Sequence, residues 1–103
     1  MVDPDAPTPQ EPTNAQIRHF VGGGFILAGQ PSKAGTPLVN ITPALSEYRQ
    51  PSPPNTSDPH INTFLLFKQP PNFPQSLAAA NLTSDVTLFN ITAFAEKLGL
   101  EIP

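Results

Sequence analysis

The sequence contains no cysteine, which excludes both a disulfide framework and a thiolate metal site. Charged residues are scarce as well, at 13% of the chain, too few for disorder driven by charge. The few basic residues are scattered and the net charge is -3, which argues against nucleic acid or an anionic membrane as a partner. No apolar run approaches the roughly 18 residues of a membrane-spanning helix, so we predict no transmembrane segment.

Proline is abundant instead, with 15 in 103 residues. The prolines separate short apolar runs, a pattern typical of a loop-rich β fold. We predict a mainly β, sandwich-like domain with one short C-terminal helix over 93–98, capped by Thr92 and ended by Gly99. Strands are predicted at 17–21, 25–27, 38–41 and 62–67. The last is near-continuously apolar and is therefore expected to be a central strand covered on both faces.

The first residues, Asp3-Pro4-Asp5, hold two carboxylates two positions apart. In an extended backbone both would project from the same face. Pro4 and Pro7 fix φ and remove backbone donors, so we predict a strand end that turns sharply and aims both acids into one small space. An acidic, frayed N-terminal turn is the alternative.

Two histidines occupy contrasting positions. His19 shares one face of a predicted strand with Ile17 and Val21, where an ordinary core histidine is the alternative to a binding role. His60 follows a stiff proline-rich loop over 43–59 and precedes the apolar run. The sequence shows no nucleophile motif such as G-x-S-x-G, so we expect neither an enzyme nor a cofactor.

Four sites match the N-glycosylation pattern, where chance would give roughly one. We therefore predict a secreted, extracellular glycoprotein, although no signal peptide precedes the first aspartate. The predicted glycosylation sites are Asn40, Asn55, Asn81 and Asn90.

Several separated stretches resemble the phosphatidylethanolamine-binding protein family: Asp3-Pro4-Asp5-Ala6-Pro7, Arg18-His19-Phe20, Tyr48 with Pro53-Pro54, and His60 with Phe64-Leu65-Leu66-Phe67. The sequon density is most similar to secreted fungal members, among which are relatives of a carboxypeptidase Y inhibitor. The resemblance implies an incomplete Greek-key β-sandwich over 1–103. Strands before the Asp-Pro-Asp turn and the final strand are expected to be missing.

The resemblance also implies a small anion pocket for a phosphate-bearing ligand or phospholipid head group. By position, Asp3, Asp5, His19 and His60 match the polar residues of the family's pocket. Ser52 and Pro53 match the loop that closes its wall. A serine carboxypeptidase or another protein is a possible partner, and a protease-inhibitor or signalling role would follow from it.

This chain departs from the family at His60-Ile61-Asn62, where relatives carry His-Arg-Tyr, at Ile17, where an aromatic is usual, and at Ser52, where glycine is usual. A structural glycoprotein fragment without a competent pocket is therefore the main alternative. A metal-dependent hydrolase built from the histidines and carboxylates is the third hypothesis.

Overall fold

The N-terminal strand lies at the centre of the first sheet. The computed structural model describes residues 1–102. Strand β1 (Val2–Asp3) pairs antiparallel with β2 (Ile17–Arg18), and Val2 forms a bridge to Thr63 on its other side. Val2 exchanges backbone hydrogen bonds of 2.9 and 2.8 Å with Thr63. The start of the chain is thus held between two segments distant from it in sequence.

The second sheet is a hairpin, with β3 (Phe25–Leu27) antiparallel to β4 (Leu38–Asn40). The glycine run over 22–24 lies between β2 and β3 and separates the two sheets. Gly24 has φ +68°, a left-handed conformation that a residue with a Cβ rarely adopts. A Cβ on Gly23 would overlap the ring of Phe73, so these glycines allow close packing of the aromatic side chains.

The helix α1 (Ile91–Leu98) begins earlier than predicted and is capped by Asn90, not by Thr92. The Asn90 carboxamide oxygen accepts the Ala93 amide hydrogen at 2.9 Å. Gly99 ends the helix at φ 66°, as predicted. Asparagine and threonine can both cap a helix, and the sequence alone did not say which of them starts it.

A small core forms where α1 meets the first sheet. Phe94 faces inward and packs against Phe89, with ring centroids 5.4 Å apart. Leu98 packs against the same cluster, so Phe94 and Leu98, four residues apart, form the face of the helix that meets the core. The buried core residues are Val2, Leu45, Phe73, Ala80, Phe89 and Phe94.

The prediction of a covered central strand at 62–67 is wrong. Thr63 and Lys68 each form a single bridge, whereas Phe64 is 75% exposed and Leu66 63% exposed. These side chains line an apolar groove of about 480 Å³ together with Phe25 and Leu38. Consecutive apolar residues indicate a segment suited to burial, but burial also requires layers to pack on it. The mainly β class with a short helix is confirmed.

Replacing the cap tests the helix start. Asn90→Ala is expected to lower the free energy of unfolding by about 1 kcal/mol, because the Ala93 amide loses its acceptor. Thr92→Ala is the matched control, since it lies two residues on, is exposed and leaves the Asn90 cap intact. Urea unfolding of the unglycosylated variants measures both. Equal destabilisation by the two substitutions would contradict the assignment of Asn90 as the cap.

Candidate functional site

The buried carboxylate of Asp3 is the centre of the candidate site. β1 carries this side chain inward, and the residue is 4% exposed. Its Oδ1 accepts the Asp5 backbone amide hydrogen at 2.7 Å, and its Oδ2 lies 2.6 Å from His60 Nδ1. The predicted sharp turn after the strand is therefore closed by the first acid itself. Both oxygens of this buried charge have partners, as burial of a charge requires.

The ring of His60 is engaged at both nitrogens. Its Nε2 lies 3.0 Å from the Pro7 carbonyl oxygen and 2.9 Å from Ser57 Oγ. A carbonyl oxygen can only accept, and the Ser57 hydroxyl donates to the Asp58 carbonyl at 2.7 Å, so Nε2 carries a hydrogen. Nδ1 faces a carboxylate and also donates. This arrangement favours the imidazolium form.

The pKa of His60 is raised above its ordinary value of 6.5. The hydrogen bond to Asp3 is the largest cause, and the charges of Asp3 and Asp5 and the Pro7 carbonyl act in the same direction. Desolvation of the ring opposes the shift without reversing it. The two carboxylates therefore favour the protonated form of His60.

The second acid fixes the chain beyond His60. Asp5 Oδ2 accepts the Ile61 backbone amide hydrogen at 2.7 Å. Asp3 therefore holds the imidazole while Asp5 holds the backbone that carries it. The predicted convergence of the two acids on one place is confirmed, and that place is the His60 segment.

His19 differs from His60 because one of its nitrogens has no partner. The residue is 5% exposed, and its Nδ1 lies 2.9 Å from the Arg49 carbonyl oxygen, to which it must donate. The Arg49 amide returns a 2.8 Å bond to the His19 carbonyl, which fixes the ring's position. Nε2 lies 4.0 Å from Asp3 Oδ2 and has no hydrogen-bond partner within residues 1–102.

Asn62 contributes a second unpartnered atom that the sequence reasoning missed. Its Oδ1 is buried without a hydrogen-bond partner in the described part of the chain. The antiparallel bridge between Val2 and Thr63 places Asn62 opposite Asp3, on the same face of the ladder. The sequence could have predicted this residue from its spacing. Asn62 lies two residues after His60, and residues i and i+2 share a face in an extended segment.

The remaining predicted residues lie apart from this cluster. Ser52 and Pro53 are exposed, and no hydrogen bond among residues 1–102 joins either one to Asp3, His19 or His60. Their role at a pocket wall stays a prediction. Asn40, Asn55, Asn81 and Asn90 are all exposed. Their glycosylation also stays a prediction, which enzymatic deglycosylation and mass measurement would test.

Ser57 completes a line of three side chains whose order is Ser57, His60 and Asp3, with separations of 2.9 and 2.6 Å. Sequence reasoning placed this serine in the sequon of Asn55 and missed its contact with His60.

Within residues 1–102, no three His, Cys, Asp or Glu side chains are arranged to hold a metal ion. Over the same residues, no helix has the length and apolar character needed to cross a bilayer.

Comparison with known proteins gives one match. A family model described as phosphatidylethanolamine-binding protein matches residues 1–101. No curated protein and no solved structure matches the chain. The match covers almost the whole chain and agrees with the family resemblance seen in the sequence, while the resemblance to fungal inhibitors stays a prediction.

The Asp3–His60 contact predicts how stability depends on pH. The folded protein holds the His60 proton more tightly than the unfolded chain, so the contact's contribution is fully present below pH 6.5. That contribution is lost as pH rises through the raised pKa. Urea unfolding at a series of pH values should show stability falling over this interval. His60→Gln should remove this part of the dependence, and parallel curves for the two proteins would contradict the assignment.

Proposed function

Because the chain belongs to the phosphatidylethanolamine-binding protein family, we propose that it is a non-catalytic module that binds a phosphate-bearing head group beside Asp3. The observation that carries this proposal is the unpartnered Nε2 of His19, buried 4.0 Å from Asp3 Oδ2. A buried polar atom without a partner costs free energy, and a ligand that pairs with it recovers that cost.

His60 and His19 have different roles at this site. His60 has both nitrogens engaged by Asp3, Pro7 and Ser57, so it positions the carboxylate and does not contact the ligand. His19 Nδ1 is held by Arg49, which leaves Nε2 as the ligand-facing atom. When the ring is an imidazolium, Nε2 donates a charge-assisted hydrogen bond to a phosphate oxygen.

A head group that carries both charges suits this cluster better than phosphate alone. Asp3 Oδ2 and Asn62 Oδ1 are acceptors on the face that His19 shares, and Asn62 Oδ1 is unpartnered. An ammonium group supplies three donors to such acceptors. Phosphoethanolamine has an ammonium and a phosphate on one short chain, so it can satisfy the acceptors and the imidazolium together.

The line of Ser57, His60 and Asp3 does not support a hydrolase. A nucleophilic serine needs a histidine nitrogen with a free lone pair to take its proton. Here the Pro7 carbonyl holds a hydrogen on His60 Nε2, and the Ser57 hydroxyl donates to the Asp58 carbonyl instead. The raised pKa of His60 further favours the protonated ring, which is not a base.

No contact among the described residues favours protease inhibition over head-group binding, so a serine carboxypeptidase or another protein partner stays a prediction. Secretion likewise stays a prediction from the four sequons.

The non-catalytic assignment can be tested at Ser57. We expect no covalent adduct at this residue after incubation with an organophosphonate probe for serine hydrolases, because its hydroxyl has no base to activate it. Intact-mass and peptide-mapping mass spectrometry measure the adduct, with a known serine hydrolase as the positive control. Stoichiometric labelling of Ser57 would show that the site is catalytic.

A pair of substitutions at His19 tests head-group binding. Asn places its amide nitrogen near the position of Nδ1 and keeps the donor to the Arg49 carbonyl, whereas Gln places its amide nitrogen near Nε2. We expect His19→Asn to weaken phosphoethanolamine binding roughly 10- to 100-fold, the effect of losing a charge-assisted hydrogen bond. His19→Gln should retain more of the affinity.

Two-dimensional NMR titration of the imidazole and amide signals measures both variants and reports whether each is folded. A folded wild-type protein whose spectrum does not respond to phosphoethanolamine would support a structural glycoprotein without a competent pocket.

A further inference from the structure

We propose that a second groove, separate from the Asp3 cluster, binds a phosphomonoester dianion between Arg18 and Arg49. The groove has a volume of about 400 Å³. Its polar lining comes from β2, from the segment after Leu45 and from the turn near Ser84, and Asp3, His19 and His60 do not line it. The residues that carry the proposal are Arg18, Ser46, Arg49 and Ser84.

Arg18 is a buried cation without an anionic partner. It is 3% exposed, and within residues 1–102 no carboxylate lies within ion-pairing distance of it. Its Nε donates to Ser46 Oγ at 3.0 Å and its Nη2 to the Thr83 carbonyl at 2.5 Å. These two neutral acceptors use two of the five N–H donors of the guanidinium. Buried charges are usually paired, so this one is suited to an added anion.

The Arg18 side chain is also held in a fixed orientation. Its guanidinium carbon lies 5.7 Å from the centroid of the Phe89 ring, which belongs to the core. With the hydrogen bonds to Ser46 and Thr83, this contact holds the planar fork before any ligand arrives. A preorganised guanidinium loses little side-chain entropy on binding an oxyanion.

Arg49 brings a second positive charge to the same groove. Its backbone is tied to His19 by two hydrogen bonds, while its exposed side chain lines the groove. The pKa of Arg18 is lowered first by burial and next by the charge of Arg49. The two arginines repel each other across the groove. An anion between them would attract both and so offset that repulsion.

The neighbouring groups favour an oxyanion of more than one charge. Ser46 Oγ accepts from Arg18, so its own hydrogen is available to a ligand, and Ser84 provides another hydroxyl. Asp85 acts on Arg18 from a distance, but its Oδ1 is bonded to the amide and hydroxyl of Thr87. Glu47 lines the groove and is exposed, so its carboxylate competes with a bound anion for the two arginines. A doubly charged oxyanion competes more strongly than a singly charged one.

The test uses the exposed member of the pair, because a substitution of buried Arg18 could unfold the protein. Inorganic phosphate is titrated into the full chain and followed by NMR at the Arg18 Nε–H and the Ser46 and Ser84 amides. We expect Arg49→Gln to weaken this binding by about tenfold. Lys33→Gln is the matched control, since it removes one exposed charge from the loop between β3 and β4.

Two further measurements distinguish the groove from the Asp3 cluster and show which phosphate compound the groove prefers. His19→Asn should leave the groove's response to phosphate unchanged, so failure at the Asp3 cluster and failure in the groove are distinguishable. O-phosphoethanolamine in place of inorganic phosphate shows whether a head group or phosphate itself is preferred. Equal weakening by Arg49→Gln and Lys33→Gln, or signal changes scattered away from Arg18, would overturn the proposal.

Discussion

The buried carboxylate of Asp3 is the constraint on which the rest of this structure depends. It accepts hydrogen bonds from the Asp5 amide and from His60, and it lies near the unpartnered nitrogen of His19. Taking a carboxylate out of water is expensive unless each oxygen has a donor. The N-terminal turn and the segment at His60 must therefore meet. The pairing of Val2 with both Arg18 and Thr63 brings those donors to it.

The segment formed by β2 and the residue after it, His19, presents different chemistry on its two sides because consecutive residues of an extended chain point in opposite directions. His19 projects towards Asp3, whereas Arg18 projects towards Ser46 and Thr83. Arg49 joins the two faces, with its backbone on His19 and its side chain in the groove of Arg18. The two proposed sites, one for an ammonium-bearing head group and one for a phosphate, would therefore lie on opposite sides of this segment.

The sequence predicted the titratable residues that meet around Asp3, but it did not predict the other polar residues that contact them. Asp3, Asp5, His19 and His60 were predicted chiefly through the family resemblance, because the residue pattern alone left a frayed acidic turn and an ordinary core histidine as alternatives. Asn62 and Ser57 were missed because ordinary polar residues in a loop give no periodic signal. Which of the two histidines keeps a free nitrogen depends on distant backbone carbonyls, those of Pro7 and Arg49, which no local pattern encodes.

The fold was predictable to the extent that its determinants were local. The helix, its stop at Gly99 and the positions of strands β3 and β4 follow from neighbouring residues and lie close to the predicted ranges, whereas the pairing of β3 with β4 was not predicted. The run from Phe64 to Phe67 misled the analysis because its apolar character says nothing about which segments are present to cover it. The exposed residues there form a contiguous apolar surface, a feature associated with interaction sites in soluble proteins.

The contact between Asp3 and His60 joins residues 57 positions apart in a chain without cysteine. Closing a loop of that length costs conformational entropy of roughly 3–4 kcal/mol before any contact within it contributes. The cluster is therefore absent from any partly folded chain in which this loop is open. Assembly of the Asp3 cluster and closure of more than half the chain therefore occur in a single event, and the environment of the His60 imidazole ring reports both.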